Sequence, residues 1–184
     1  RIKHDIRNGI EGWYNHYTAV GGDWSRMLIS ADHTFKGLTM DRVLATRPQR
    51  DPPSDPLDEM LDFLVESGGS VSIVYAHHTE EDMTLALSQP CWSVGSDGSA
   101  CATEGPLRRG NPHPRNFGAF PRVLGVYVRE EGLLRLEDAV RKMTSLNAAK
   151  AGLTDRGLLR PGLAAAVTLF DAERVIDRST SSEP

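Results

Sequence analysis

The clearest periodic pattern of apolar residues in the chain predicts an amphipathic helix that begins just after Asp55. Asp55 is a favourable N-cap, and the following Pro56 suits the first turn, where its missing N–H costs nothing. Apolar side chains then recur at positions that share one helix face, namely Leu57, Met60, Leu61, Leu64 and Val65. Gly68 and Gly69 end the pattern. The segment therefore predicts a helix with one buried stripe.

A strand, a helix and a second strand follow in the pattern. The run 70–76 is rich in β-branched residues, as buried strands are, and 91–95 is another short apolar run. Between them, Thr79 and Asp82 have the spacing of a capping box at the start of a short helix. This alternation predicts a parallel βαβ unit. Ligand sites in such folds lie where strands end at their C-terminal edge, and Asp97 would lie at such an end.

Weaker patterns predict further elements on both sides of this unit. They are a strand at 26–30, a helix at about 40–46 capped by Thr39, helices at 120–131 and 136–151, and a short strand in the tail that ends at Asp171. The helix over 136–151 would place Leu136, Ala139, Val140 and Met143 on one buried face.

The composition argues against several classes of partner. The net charge of the 184 residues is −4, with acids and bases interspersed, which disfavours nucleic acid or an anionic membrane surface. No apolar run approaches the ~18 residues that span a bilayer, and no secretory leader is recognised. Cys91 and Cys101 lack the spacing of a zinc ribbon or redox motif, so reduced thiols are expected, with a disulfide around Asp97 as the alternative. The expected compartment is the cytoplasm.

Several short motifs occur in a fixed order in the second half of the chain. The sequence reads SDG at 96–98, HPR at 113–115, FPRVLG at 120–125, REEGLL at 129–134, LEDAVRKMTSL at 136–146 and LFD at 169–171. Over about residues 68–178 the chain resembles the N-acyl-D-amino-acid deacylases, or D-aminoacylases, of the amidohydrolase superfamily. Members of this family are far longer and carry an early His-x-His, a cysteine and further histidines that hold zinc. The chain therefore resembles a C-terminal fragment, and the N-terminal part of the same polypeptide would be its missing partner.

The resemblance implies an α/β fold, specifically the C-terminal part of a (β/α)8 hydrolase barrel. Residues 1–160 would belong to the barrel, with about 31–68 as an inserted helical subdomain. Residues 161–184 would form a strand of an accessory β-domain and a frayed tail. Because a partial barrel leaves open strand edges and uncovered apolar faces, the isolated chain is expected to form homo-oligomers or to aggregate.

The resemblance also implies an activity, a cofactor and site residues. The activity is hydrolysis of N-acyl-D-amino acids to a D-amino acid and a carboxylic acid, with zinc polarising the carbonyl group and supplying hydroxide. Asp97 would touch the metal and serve as the acid/base, while Arg115 would grip the substrate carboxylate. Tyr75 and His78 would line the pocket for the substrate side chain, although His78 departs from the methionine often found there. Whether one zinc or two is used stays open.

Other interpretations of these residues remain. An acid in Ser-Asp-Gly is also typical of an ordinary turn. His77 and His78 are potential zinc ligands, but adjacent residues on an extended chain point to opposite sides and are not expected to share one ion. His113 is expected to shape its loop, and His4, His16 and His33 to lie at the surface or in loops. Ala166 replaces an aspartate that is usual in the family. The alternative functions are a cyclic-amide hydrolase of the dihydroorotase or hydantoinase kind, or an inactive fragment that serves as a packing module.

Overall fold

Two compact units make up the chain. The structure, a computed structural model, describes residues 1–30, 33–48, 52–108, 112–181 and 183. One unit is formed mainly by Arg1–His77, and the other by His78–Arg108 and Pro114–Pro184. Each unit has its own hydrophobic core, as expected of independently compact bodies. The division between His77 and His78 falls inside the predicted βαβ unit.

The first unit combines short helices with two short strands. Its described elements are α1 (Ile2–Asn8), α2 (His16–Ala19), a 3-10 helix (Trp24–Arg26), β1 (Met27–Ile29), α3 (Met40–Ala45), α4 (Pro56–Glu66) and β2 (Ile73–Tyr75). The predictions of α3 and α4 as helices are confirmed, but the side chain of Thr39, at the N-cap position of α3, makes no capping hydrogen bond. Asp55 caps α4 by accepting the N–H of Leu57 at 3.0 Å. Leu57 and Phe63 of α4 are buried, whereas Val65, predicted on the buried stripe, lies in the last turn and is 76% exposed.

The only sheet in the described residues is antiparallel and pairs β1 with β2. The predicted parallel βαβ unit is wrong, because its second strand, 91–95, does not form. Strands β1 and β2 pair in the register Met27↔Tyr75 and Ile29↔Ile73. Main-chain bonds extend this pairing, since the N–H of Ser30 donates to the carbonyl oxygen of Ser72 at 3.0 Å. The core beside the sheet is formed by Val20, Met27, Ile29, Met40, Val43 and Phe63.

The second unit is mainly helical. Its described elements are α5 (Glu80–Ser88), a 3-10 helix (Gly105–Leu107), α6 (Arg115–Arg122), a π-helix (Val123–Glu130), α7 (Leu136–Met143) and α8 (Ser145–Lys150). The capping box at the start of α5 is confirmed, because the Thr79 hydroxyl and the Asp82 carboxylate each accept from the other's main-chain N–H. Its core contains Val94, Val123, Leu124, Tyr127, Leu134 and Ala139. No helix among the described residues of either unit is long and apolar enough to cross a membrane.

The segment 91–95, predicted as a strand, has no strand structure. Its backbone is instead bonded to helical residues from later in the chain. The N–H of Val94 donates to the Lys142 carbonyl oxygen at 3.1 Å, and the Asn147 side chain donates to the Val94 carbonyl oxygen at 2.8 Å. Because both polar groups of Val94 have partners here, the residue is satisfied without a sheet.

The helix predicted at 120–131 begins earlier, at Arg115, and changes character after Pro121. Proline has no N–H, so it cannot donate to the carbonyl group four residues before it. The chain continues from Val123 as a π-helix, in which the N–H of Glu131 donates to the Val126 carbonyl oxygen at 2.8 Å. The α-helical hydrogen bonding is therefore interrupted at Pro121, just before the chain changes to the i, i+5 hydrogen bonding of a π-helix.

The single helix predicted at 136–151 is in fact two helices. The break is at Thr144, with φ −128° and ψ −89°. The Thr144 hydroxyl donates to the Val140 carbonyl oxygen at 2.7 Å, which is the local bonding by which threonine competes with the helix. Val140, predicted on the buried face, is 36% exposed, whereas Ala139 is fully buried.

The tail packs against α6 and the π-helix, and its described residues 161–181 and 183 form no strand. Arg129 donates to the carbonyl oxygens of Ala172 and Val175, the latter at 2.6 Å. Gly118 and Gly125 allow the close approach, because a Cβ on Gly125 would lie 2.8 Å from the Val175 carbonyl oxygen. The predicted tail strand, which would end at Asp171, is absent from the described residues, and these contacts to the π-helix come from residues after it.

Candidate functional site

Asp97 lies in an irregular turn with an uncommon backbone conformation. It is the one non-glycine residue with positive φ in the described part of the chain, at +48°. Aspartate tolerates this left-handed region better than most residues do. The Ser96 hydroxyl accepts the N–H of Gly98 at 3.2 Å and closes the turn. The carboxylate consequently projects outward, with its side chain 87% exposed.

Arg115 meets this carboxylate from the start of α6. One guanidinium nitrogen lies 2.9 Å from Asp97 Oδ2, and the Arg115 side chain is 45% exposed. The next residue, Asn116, fixes the other side of the turn by accepting the N–H of Ser99 at 2.5 Å. The structure thus brings the two foremost predicted site residues together within the second unit.

The ion pair has a defined chemical capacity. A carboxylate can accept and return a proton, and a planar guanidinium can grip a second carboxylate through parallel N–H groups. Because Asp97 and Arg115 are both partly or largely exposed, a ligand can reach each of them. A bound carboxylate ligand would compete with Asp97 for Arg115.

The predicted pocket residues Tyr75 and His78 fall in different units. Tyr75 ends β2, where its ring lies parallel to that of His16 with the centroids 4.7 Å apart. Burial raises the pKa of Tyr75. His78 is exposed and begins the second unit. The substrate-binding roles of these two residues stay predictions.

Two histidines in the first unit make a contact that the sequence does not predict. His16 Nδ1 and His77 Nε2 lie 3.1 Å apart, so one ring donates and the other accepts. The edge of Tyr14 packs against both rings at centroid distances of 5.0 and 5.7 Å. His16 is exposed, which agrees with the predicted surface or loop position, but its pairing with His77 is not predicted by the sequence. Since 61 positions separate the two histidines, no local spacing could have indicated the contact.

The described residues do not form a complete zinc site. In the part of the chain that the structure describes, no group of three or more His, Cys, Asp or Glu side chains converges on a point that could hold a metal ion. Zinc sites need three or four such ligands. Asp97 could supply one carboxylate, and its neighbour in the structure is the positively charged Arg115. The described residues by themselves therefore supply too few ligands to hold a zinc ion.

Two other features lie apart from Asp97. Cys91 and Cys101 are free thiols, as expected, and they form no disulfide around the turn. A cavity of about 270 Å³ opens beside α8, where Ala148, Leu153 and Arg156 line it. None of the predicted site residues contributes to that cavity.

The sequence is similar to several characterised deacylases. The N-acyl-D-aspartate deacylase of Alcaligenes xylosoxydans xylosoxydans is 44% identical over 111 residues, which are 60% of this chain and 21% of the relative. The N-acyl-D-glutamate deacylase and the D-aminoacylase of the same organism are 45% and 41% identical over the same length. The chain thus spans about a fifth of these relatives. No protein-family model matches it.

Solved structures give the same result. An N-acyl-D-glutamate deacylase from Bordetella bronchiseptica, complexed with zinc and a phosphonate inhibitor that mimics the tetrahedral intermediate, matches with a TM-score of 0.67 and 31% identity. The match covers 88% of this chain and 31% of that one. A D-aminoacylase with a binuclear metal centre matches with a TM-score of 0.66 and 33% identity over 86% of this chain and 30% of that one. The resemblance to N-acyl-D-amino-acid deacylases is confirmed, and it concerns a portion of those proteins.

Proposed function

We propose that this chain is part of an N-acyl-D-amino-acid deacylase, a hydrolase that cleaves a linear amide to a D-amino acid and a carboxylic acid. The observation that carries the proposal is the 2.9 Å pair of Asp97 and Arg115, in a chain that is 41–45% identical to such enzymes over 111 residues. The activity belongs to the longer polypeptide that the relatives represent. A cytoplasmic location is part of the proposal.

The proposal assigns different tasks to the two residues. Arg115 binds the α-carboxylate of the substrate, since its N–H groups match the two carboxylate oxygens. Asp97 takes a proton from the attacking water and returns it to the leaving nitrogen. The hydroxyl joins the acyl carbon as the C–N bond breaks, and the proton converts the nitrogen to an amine. Tyr75 and His78 line the side-chain pocket in this proposal.

Zinc and the fold of the whole protein are also part of the proposal. Zinc is present in the Bordetella enzyme. In the full-length protein, Asp97 would be one zinc ligand, and most of the other zinc ligands would come from parts of the polypeptide outside this chain. Residues 1–160 would belong to a (β/α)8 barrel with a helical insertion at about 31–68, and residues 161–184 to an accessory β-domain.

Substrate profiling of the full-length protein tests the proposed reaction. The substrates are N-acetyl-D-glutamate, N-acetyl-D-leucine, their L-enantiomers and two cyclic amides, dihydroorotate and hydantoin. We expect release of free amine from D-substrates only. Hydrolysis of the cyclic amides alone would instead support the dihydroorotase or hydantoinase alternative. Zinc-supplemented protein that hydrolyses nothing would support the inactive packing module.

The role of Arg115 has its own test. Arg115→Ala should raise the KM for an N-acetyl-D-amino acid, because the substrate carboxylate loses a bidentate partner. The matched substrate is the corresponding carboxamide, which lacks the carboxylate and should be affected far less. Equal impairment of both substrates would show that Arg115 supports the loop rather than binds substrate.

A further inference from the structure

The turn that carries Asp97 is preceded by a segment of irregular chain that one buried lysine holds in place. Lys142 on α7 is only 2% exposed. Its ammonium group donates to the carbonyl oxygen of Gln89 and, at 3.0 Å, to that of Trp92. Two carbonyl groups three residues apart thus converge on one cation, and this contact fixes the bend of the chain after α5.

Helices α7 and α8 together hold the chain again, closer to Asp97. The main-chain carbonyl of Lys142 accepts the N–H of Val94 at 3.1 Å. Asn147 of α8 donates to the carbonyl oxygen of Val94 at 2.8 Å. Three residues later comes Asp97, and beyond it Ser99 is bonded to Asn116 at 2.5 Å. The turn is therefore tethered on both sides, and Lys142 contributes to the upstream tether through its side chain and its backbone.

Holding a cation in this place has a free-energy cost. Burial lowers the pKa of Lys142, and the nearby charge of Arg141 adds to the effect. The partners that the structure gives the ammonium group are neutral carbonyl oxygens, which offset only part of the lost hydration. An uncharged side chain of similar length would fill the same space without that cost. The distinctive contribution of the ammonium group is therefore to order the segment 89–94.

We propose that Lys142 is a positioning residue for Asp97, which acts by fixing the segment 89–94 from which the carboxylate projects. The inference rests on the proposed function, in which Asp97 transfers a proton. Proton transfer requires the carboxylate at hydrogen-bond distance from the reacting atoms, and a displacement of about 1 Å can cost on the order of 100-fold in rate.

Lys142→Met in the full-length protein removes the ammonium group and keeps an unbranched side chain. We expect hydrogen exchange at the Val94 amide to become roughly tenfold faster or more, because its tether opens locally. The Leu134 amide, which donates to the Tyr127 carbonyl oxygen at 3.1 Å in the same unit, should be unaffected. With N-acetyl-D-amino acids, kcat should fall between about 10- and 100-fold while KM stays within a factor of about two.

Lys36→Met is the matched control, because Lys36 is an exposed lysine of the other unit. It should leave both exchange and kinetics unchanged. Asn147→Leu provides a second test that does not alter the buried charge, and it should reproduce the exchange effect at Val94. This variant keeps the inference testable if Lys142→Met does not fold.

The outcomes separate this inference from the proposed function. Unchanged exchange at Val94, equal acceleration at Leu134, or local acceleration with an unchanged kcat would each overturn the positioning role. If the unaltered full-length protein has no deacylase activity, the proposed function fails and the catalytic role of Lys142 fails with it. The exchange data would still decide whether Lys142 orders the segment.

Discussion

Replacing Asp97 with asparagine should separate catalysis from stability. Asparagine has nearly the same size and also tolerates a left-handed backbone, so the turn with φ +48° should persist. The substitution removes the ion pair with Arg115. In that pair the Asp97 side chain is 87% exposed and the Arg115 side chain 45% exposed. Exposed pairs of this kind contribute about 0.2–1 kcal/mol. For a chain of 184 residues that corresponds to a Tm shift of roughly 4 °C at most, and the shift is smaller still in the longer full-length protein.

The expected catalytic loss is much larger. General acid–base groups typically contribute about 10²–10⁴-fold, which corresponds to about 3–5 kcal/mol of the activation barrier. The amide of asparagine cannot take the proton from water, so the loss should appear in kcat. KM should not rise, because Arg115 remains to bind the substrate carboxylate and no longer pairs with Asp97. Kinetics with N-acetyl-D-amino acids and thermal unfolding of the same preparation of full-length protein measure both effects.

Asp155→Asn provides a matched control in the same unit. Asp155 pairs with Arg156 at 3.0 Å, and both side chains are at least half exposed. Its replacement should have a similarly small effect on Tm and no effect on kcat. The reasoning would be refuted by a loss of kcat under about tenfold for Asp97→Asn, or by equal losses in the two variants.

Three further outcomes are expected. Gly125→Ala should destabilise the protein by about 1–3 kcal/mol in denaturant unfolding, because a Cβ would lie 2.8 Å from the main-chain carbonyl oxygen of Val175; Gly95→Ala, with nothing within 4 Å of its Cβ, is the neutral control. The pKa of Asp55 is lowered chiefly by the Leu57 N–H, so its stabilisation should be complete above the ordinary value of 3.8 and be lost as the pH falls through the lower folded-state pKa. The Tm advantage over Asp55→Asn, which keeps the cap, should therefore be constant above the ordinary pKa and vanish as the pH falls below the folded-state pKa. An advantage independent of pH would contradict this. Elemental analysis of the isolated 184-residue chain should find well below one zinc per chain, and stoichiometric zinc that survives dialysis would overturn the ligand count.

The elements that the sequence predicted correctly are those whose signals are local. Helix α4 has its cap, its proline and its periodic stripe within a dozen positions, and α5 has both partners of its capping box within one turn. Such contacts form whatever the rest of the chain does, because they join residues that are close in sequence. Local patterns of apolar and β-branched residues also predicted β1 and β2 as strands. They could not give the direction in which the two strands pair.

The errors occurred where partners from distant parts of the chain decide the backbone. The apolar run 91–95 has the composition of a strand, but the hydrogen bonds of Val94 go to residues of α7 and α8. Composition reports which residues tolerate an extended backbone and carries no information on whether a neighbouring strand is available. The helix at 136–151 failed for a subtler reason, since a single threonine hydroxyl competes for the carbonyl group of Val140.

The candidate site depends on both local sequence signals and contacts between distant parts of the chain. Residue types and motif order pointed to Asp97 and Arg115, but only the structure brings their charged groups to 2.9 Å. That distance depends on the turn at Asp97, which in turn depends on the segment before it. The long-range bonds that prevented 91–95 from being a strand are the same bonds that set the direction from which Asp97 projects. The failed strand prediction and the inferred role of Lys142 therefore have one physical cause, namely a backbone segment whose polar groups are satisfied by helices rather than by a sheet.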